Sequence, residues 1–202
     1  MSNPGYSDPI DHAFAFLAKH RSEPTAGYGS AVANRAANLA VTLARYGCDE
    51  ATIVAGILLG LMDTDSSAGA RSMAEKVNEK FGPAVMVGVR DAAEPRFDPQ
   101  GRRRSWRATK QEQLVGLLEA DPRALDIVTA TEIHWCGSSL TIVRRLGPEY
   151  LPASSHASLG DLEWWHGSLA EVLASRPDWR RRDMLGQLRA ASAALVRAMR
   201  ES

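Results

Sequence analysis

With 202 residues, the chain is long enough to bury one core of ordinary size. Its 24 Lys plus Arg balance 24 Asp plus Glu, so no net charge draws it toward nucleic acid or a membrane surface. Two cysteines, Cys48 and Cys136, are too few for a disulfide framework or a thiolate metal site, and they fit a reducing cytoplasm. The N-terminal stretch MSNPGYSDPIDHAFAF lacks the basic and apolar pattern of a signal peptide. The longest apolar run, residues 53–62, is far short of the ~20 residues that cross a bilayer and reads as a buried helix.

Helical periodicity and caps recur along the chain, and strand signals are nearly absent. The first helix starts near Asp8 with Pro9 at its first position, carrying Ile10, Ala13, Phe14 and Leu17 on one face. A loop (SEPTAGYG) leads to Ser30, read as the cap of a long Ala-rich helix that Gly47 terminates. Asp49 caps the next helix, whose apolar positions are Ile53, Ile57, Leu58 and Leu61, and a turn follows over 66–69. A helix over 70–80 ends at Phe81-Gly82, and Pro83 opens another.

The two prolines and glycine of EPRFDPQG mark 94–101 as a loop of some mobility. Helices follow over 104–119 and from Asp121-Pro122 to about Gly147. Ser158 with Asp161 forms a capping box for a helix through Trp164 and Leu173, and a final helix runs from near Pro177 to Met199. Its Leu185, Leu188, Ala191, Leu195 and Met199 either cap the core or pair with a second copy as a homodimer. The fold class is therefore a single all-α domain of about eight helices, with a core over 10–175 and a last helix over 177–200.

Leu17-Ala-Lys-His20, Tyr46-Gly47-Cys48-Asp49, residues 55–65, Phe81-Gly-Pro-Ala-Val85, Trp106-Arg-Ala-Thr-Lys110 and Ala130-Thr-Glu-Ile-His134-Trp135 occur in this order, and together they resemble the HD superfamily of metal phosphohydrolases, in the branch of the RelA/SpoT-type guanosine polyphosphate hydrolases. Leu17-Ala-Lys-His20 ends the opening helix, and Tyr46-Gly47-Cys48-Asp49 matches a Gly-x-Asp turn. Residues 55–65 (AGILLGLMDTD) match the family's A-A-L-L-H-D-x-x-E-D segment, and Phe81-Gly-Pro-Ala-Val85 its F-G-x-x-V. Trp106-Arg-Ala-Thr-Lys110 echoes W-x-x-R-K, and Ala130-Thr-Glu-Ile-His134-Trp135 corresponds to A-D-x-x-H-N.

The resemblance implies an all-helical fold and a divalent metal held by two His and two Asp, polarising phosphate and activating water. At those four positions this chain has Arg35, Gly60, Leu61 and Thr131. None offers an imidazole or a carboxylate, so no metal and no cofactor is expected. The family's water-positioning Glu-Asp pair corresponds to Thr64 and Asp65.

Arg35 lies among small residues (AVANRAANLAV), where it either clamps a phosphate or carboxylate or fills an emptied site by pairing with Asp63, Asp65 or Glu132. The expected function is binding of a small anionic or nucleotide-like molecule without metal-dependent hydrolysis. Arg35, Arg104, Trp106, Lys110, Thr131 and Trp135 are the candidate binding residues. Two alternatives remain open. One is a metal-free acid–base enzyme using Asp63, Asp65, Glu132 and His134, which an apolar pocket would suit by raising carboxylate pKa values. The other is a regulatory protein that dimerises. Trp135, Trp164, Trp165 and Tyr28 are candidate pocket walls; adjacent Trp164 and Trp165 diverge by about 100° on a helix, which puts one in the core and one at an interface. The Arg- and Ala-rich composition fits a GC-rich bacterial genome.

Overall fold

Local caps and breakers set the boundaries of eight α-helices in a computed structural model, which describes residues 6–20, 31–64, 66–151 and 158–202. The expected cap Ser30 and Tyr28 lie outside the described residues. Among the described residues there is no strand beyond an isolated bridge, Phe97 with Arg103. No described helix is long and apolar enough to cross a membrane. The chain divides into two compact units, Met1–Ala93 and Glu94–Ser202.

In the first unit, α1 spans Asp8–His20 and buries Ala13 and Leu17. Helix α2, Ala31–Arg45, contributes Leu39 and Leu43, and Gly47 (φ 67°) supplies the left-handed residue that lets the chain leave it. Helix α3, Glu50–Leu58, begins where the Asp49 carboxylate accepts the Thr52 N–H. Every residue from Thr52 to Leu58 is buried, because α1, α2 and the following helix all pack on it. Its end tightens into a 3-10 turn, Leu59–Met62, closed by Asp63.

Helix α4, Ser67–Ala92, differs from the expected turn over 66–69: the Ser66 hydroxyl accepts the Gly69 N–H and starts the helix there. The expected break is present, since Gly82 (φ 82°, ψ 173°) interrupts α4 immediately before Pro83.

The second unit opens with the 94–101 loop, which is tightly bonded rather than loose. Asp98 Oδ1 accepts the Gln100 and Arg102 N–H groups, and the Arg104 guanidinium donates to the Pro95 and Phe97 carbonyls. Helix α5, Trp106–Leu117, is capped by Ser105, and α6, Pro122–Leu146, by Asp121. The capping box of Ser158 and Asp161 opens α7, Leu159–Ser175.

Helix α8, Arg182–Glu201, starts later than Pro177. Arg176 binds Asp178 and the Leu117 and Ala120 carbonyls, and Trp179 donates to Asp126, so 176–181 are held out of helical geometry. Of the two roles open to α8, core cover is observed: Met184, Leu185, Leu188 and Leu195 are buried, and the helix packs on α6 and α7.

Candidate functional site

The candidate residues fall in two places, one in each unit. In the first, the buried Ala36 and Leu39 fix the inner face of α2, and Arg35 stands beside that face, half-buried. Its NH2 lies 3.0 Å from Asp63 Oδ2, with the two side chains 33% and 30% exposed. Gly60 makes this geometry possible. A Cβ there would stand 3.3 Å from Arg35 NH2 and 2.9 Å from Val32 Cγ1, so a larger residue would crowd the guanidinium. Positions 35 and 60, to which the resemblance assigns two metal ligands, are thus in contact, and the space between them holds a permanent cation. Asp65, proposed as its neighbour, lies outside the described residues.

In the second unit, α5, α6 and α7 surround a chain of buried polar groups. Lys110 Nζ on α5 sits 2.7 Å from Glu94 Oε1 and 3.4 Å from Glu132 Oε1, and 4.2 Å above the Trp165 ring. Glu132 Oε2 is 3.3 Å from His166 Nε2, and the same nitrogen is 3.4 Å from Cys136 Sγ. The Lys110, Glu132 and His166 side chains are only 7%, 10% and 4% exposed.

Burial by itself lifts the Glu132 carboxyl, but the Lys110 charge and the His166 hydrogen bond overcome it and hold the group down at about 2. Burial likewise lifts Glu94, and Lys110 with Arg96 pulls it below its usual value. Lys110 is held up against its own desolvation by the two carboxylates. The Cys136 thiol is pushed up by burial and then by the Glu132 charge, so it stays protonated.

The network runs through a single imidazole nitrogen. One His166 nitrogen faces both Cys136 and Glu132, whereas a base that relays a proton needs its two nitrogens on different partners. His166 Nδ1 is buried with no partner among the described residues. An apolar pocket would raise a carboxylate, but Glu132 is shifted the other way because a lysine is buried with it.

The other candidates are dispersed. Thr131 spends its hydroxyl on the Ile127 carbonyl at 2.8 Å, and His134 is half-buried on α6. Trp135 packs against Cys136, Val143 and Leu195, with its ring 5.8 Å from that of His166. Arg104 is engaged with the loop carbonyls and lies 3.9 Å from Glu112. Trp106 meets Trp164 edge-on at 6.4 Å, and Arg107 stacks on Trp164 while pairing with Asp161. Of the adjacent pair, Trp165 is the core residue, 1% exposed.

Sequence reasoning overlooked Glu94 and His166. A signal for His166 existed, since Leu162, Trp165, His166, Leu169 and Leu173 form one apolar helical stripe that a histidine interrupts. Glu94 gave none.

Among the described residues, no three His, Cys, Asp or Glu side chains are grouped to hold a metal ion. At the four positions to which the resemblance assigns ligands, Gly60 and Leu61 offer no ligand side chain, the Thr131 hydroxyl is bonded to backbone and Arg35 is itself a cation, a set of side chains that does not suit a divalent ion.

The comparisons with known proteins agree with this architecture. No curated protein matches the chain. The crystal structure of lmo0812 from Listeria monocytogenes EGD-e is similar with a TM-score of 0.59 at 15% identity, over 83% of this chain and 99% of that one. A metazoan ortholog of SpoT that hydrolyzes ppGpp is similar with a TM-score of 0.58 at 20% identity, over 97% and 94%. At such identities the likeness speaks for the fold alone. A family model described as HD domain matches residues 13–130. That match runs through more than half of the sequence, and the chain belongs to the HD domain family.

Proposed function

We propose that this HD-domain protein binds a small phosphate-bearing or nucleotide-like anion at Arg35 and does so without the metal-dependent hydrolysis for which the fold is known. The observation that carries the reading is the seat of the guanidinium. It rests against Gly60 at a position aligned with a metal ligand, keeps one third of its side chain exposed, and engages only Asp63 among the described residues. A guanidinium presents five N–H donors in a planar fork suited to phosphate or carboxylate, so most of its donors remain available to a ligand.

The other cations nominated from the sequence support Arg35 as the anchor by being engaged elsewhere. Lys110 is neutralised by two carboxylates inside the second unit, and Arg104 binds loop carbonyls. The acid–base alternative finds less support. Glu132 is ionised far below neutral pH and enclosed, which suits neither a general acid nor an accessible base.

The test is thermal-shift screening of EDTA-treated protein with ppGpp, GTP, pyrophosphate and an uncharged nucleoside. The phosphorylated compounds are expected to raise the melting temperature and the nucleoside to leave it unchanged. Arg35→Ala is expected to weaken the effective ligand at least tenfold, the loss of a charge-assisted contact of ~1.5–3 kcal/mol. Unchanged affinity in that variant would make Arg35 purely structural. Neither Mn²⁺ nor Zn²⁺ is expected to confer ppGpp hydrolysis, and turnover with either would overturn the alignment of the ligand positions.

A further inference from the structure

We propose, resting on that reading of Arg35, that Asp63 is a built-in competitor for the anion, a carboxylate latch that an incoming phosphate group must displace. Asp63 Oδ2 holds Arg35 NH2 at 3.0 Å, and this is the same nitrogen that approaches Gly60. The donor best placed in the Gly60 cradle is therefore the one already taken. The latch is attached to the cradle itself, because the Asp63 N–H donates to the Gly60 carbonyl at 3.4 Å and Asp63 closes the 3-10 turn that carries Gly60.

Both partners are about one third exposed, so water screens the pair and its two side chains exchange readily with solvent. A phosphate brings up to two negative charges and three acceptor oxygens, against a single charge from Asp63, so it engages more of the fork than the carboxylate does. Asp63 also repels that phosphate until it swings away. The two effects together make Asp63 a threshold on affinity: weakly charged anions fail to displace it and polyphosphates succeed.

Calorimetric titration of pyrophosphate into EDTA-treated full-length protein tests the latch with wild type, Asp63→Asn and Arg35→Ala. Asp63→Asn is expected to bind about fivefold more tightly, the affinity equivalent of the ~1 kcal/mol upper range of an exposed ion pair. Arg35→Ala is expected to lose binding, alone and combined with Asp63→Asn. Equal or weaker binding by Asp63→Asn, with binding still lost in Arg35→Ala, overturns the latch and leaves the anchor standing. No heat from any variant overturns latch and anchor together. Asp63→Ser serves as the second variant if Asp63→Asn does not fold, with the same expected gain and the same contrary result.

Discussion

Arg35 with Asp63 and Lys110 with Glu94 and Glu132 both join a basic helix residue to carboxylates, yet burial gives them opposite characters. The first is open to water, where a pair contributes ~0–1 kcal/mol and its partners can be exchanged. The second lies inside its unit, where breaking the pair strands a charge in a low dielectric. An exposed pair is a place where a ligand can compete, and a buried one is part of the scaffold. Both join a basic to an acidic side chain, so charge alone could not have separated the exposed pair from the buried one.

The largest effect is expected from breaking the buried group. Lys110→Met leaves Glu132 and Glu94 without their cation and should cost about 3–5 kcal/mol in chemical denaturation. A loss below 1 kcal/mol would show that water reaches the cluster.

Acid should act on the same group through the Glu132 carboxyl. Its folded pKa of about 2 lies below the ordinary 4.5, so the stability it contributes is complete above pH 4.5 and is lost as the pH falls toward 2. The full change is on the order of 3 kcal/mol. Glutamine at 132, read against wild type in urea titrations across that window, should flatten the acid limb; an unchanged limb would assign it to other carboxylates.

A smaller effect, about 1 kcal/mol, is expected for Ser158→Ala, which removes the hydroxyl that accepts the Asp161 N–H and leaves only the backbone half of the capping box of α7. The smallest belongs to the exposed pair. Asp63→Asn should change stability by less than ~1 kcal/mol, and a larger loss would erase the contrast between the two regions.

Much of the architecture was legible because its determinants are local. Asp49, Ser158 with Asp161, Gly47 and the Gly82-Pro83 break each act within a few residues, and each is where periodicity and cap chemistry placed it. The exceptions involve bonds that no local pattern carries. The 94–101 loop is fixed by the Arg104 guanidinium on two carbonyls, and the start of α8 is delayed by Arg176, whose two carbonyl partners lie more than fifty residues away.

The site divides along the same line. Arg35 and Gly60 were singled out by the resemblance to the HD family, and the pairing of Arg35 with Asp63 was one of the readings left open. Lys110 and Glu132 were each nominated, but for a ligand, since nothing in the sequence reveals that residues 22 apart neutralise each other in a core. His166 joined them only in three dimensions.

The account turns on a guanidinium standing in for an ion. A crystal grown with MnCl2 and pyrophosphate, read by anomalous scattering at the manganese edge, tests it most directly. The expected map shows phosphate density against Arg35 beside Gly60 and no manganese peak there. An ordered manganese ion at that place, with Arg35 swung aside, would contradict it.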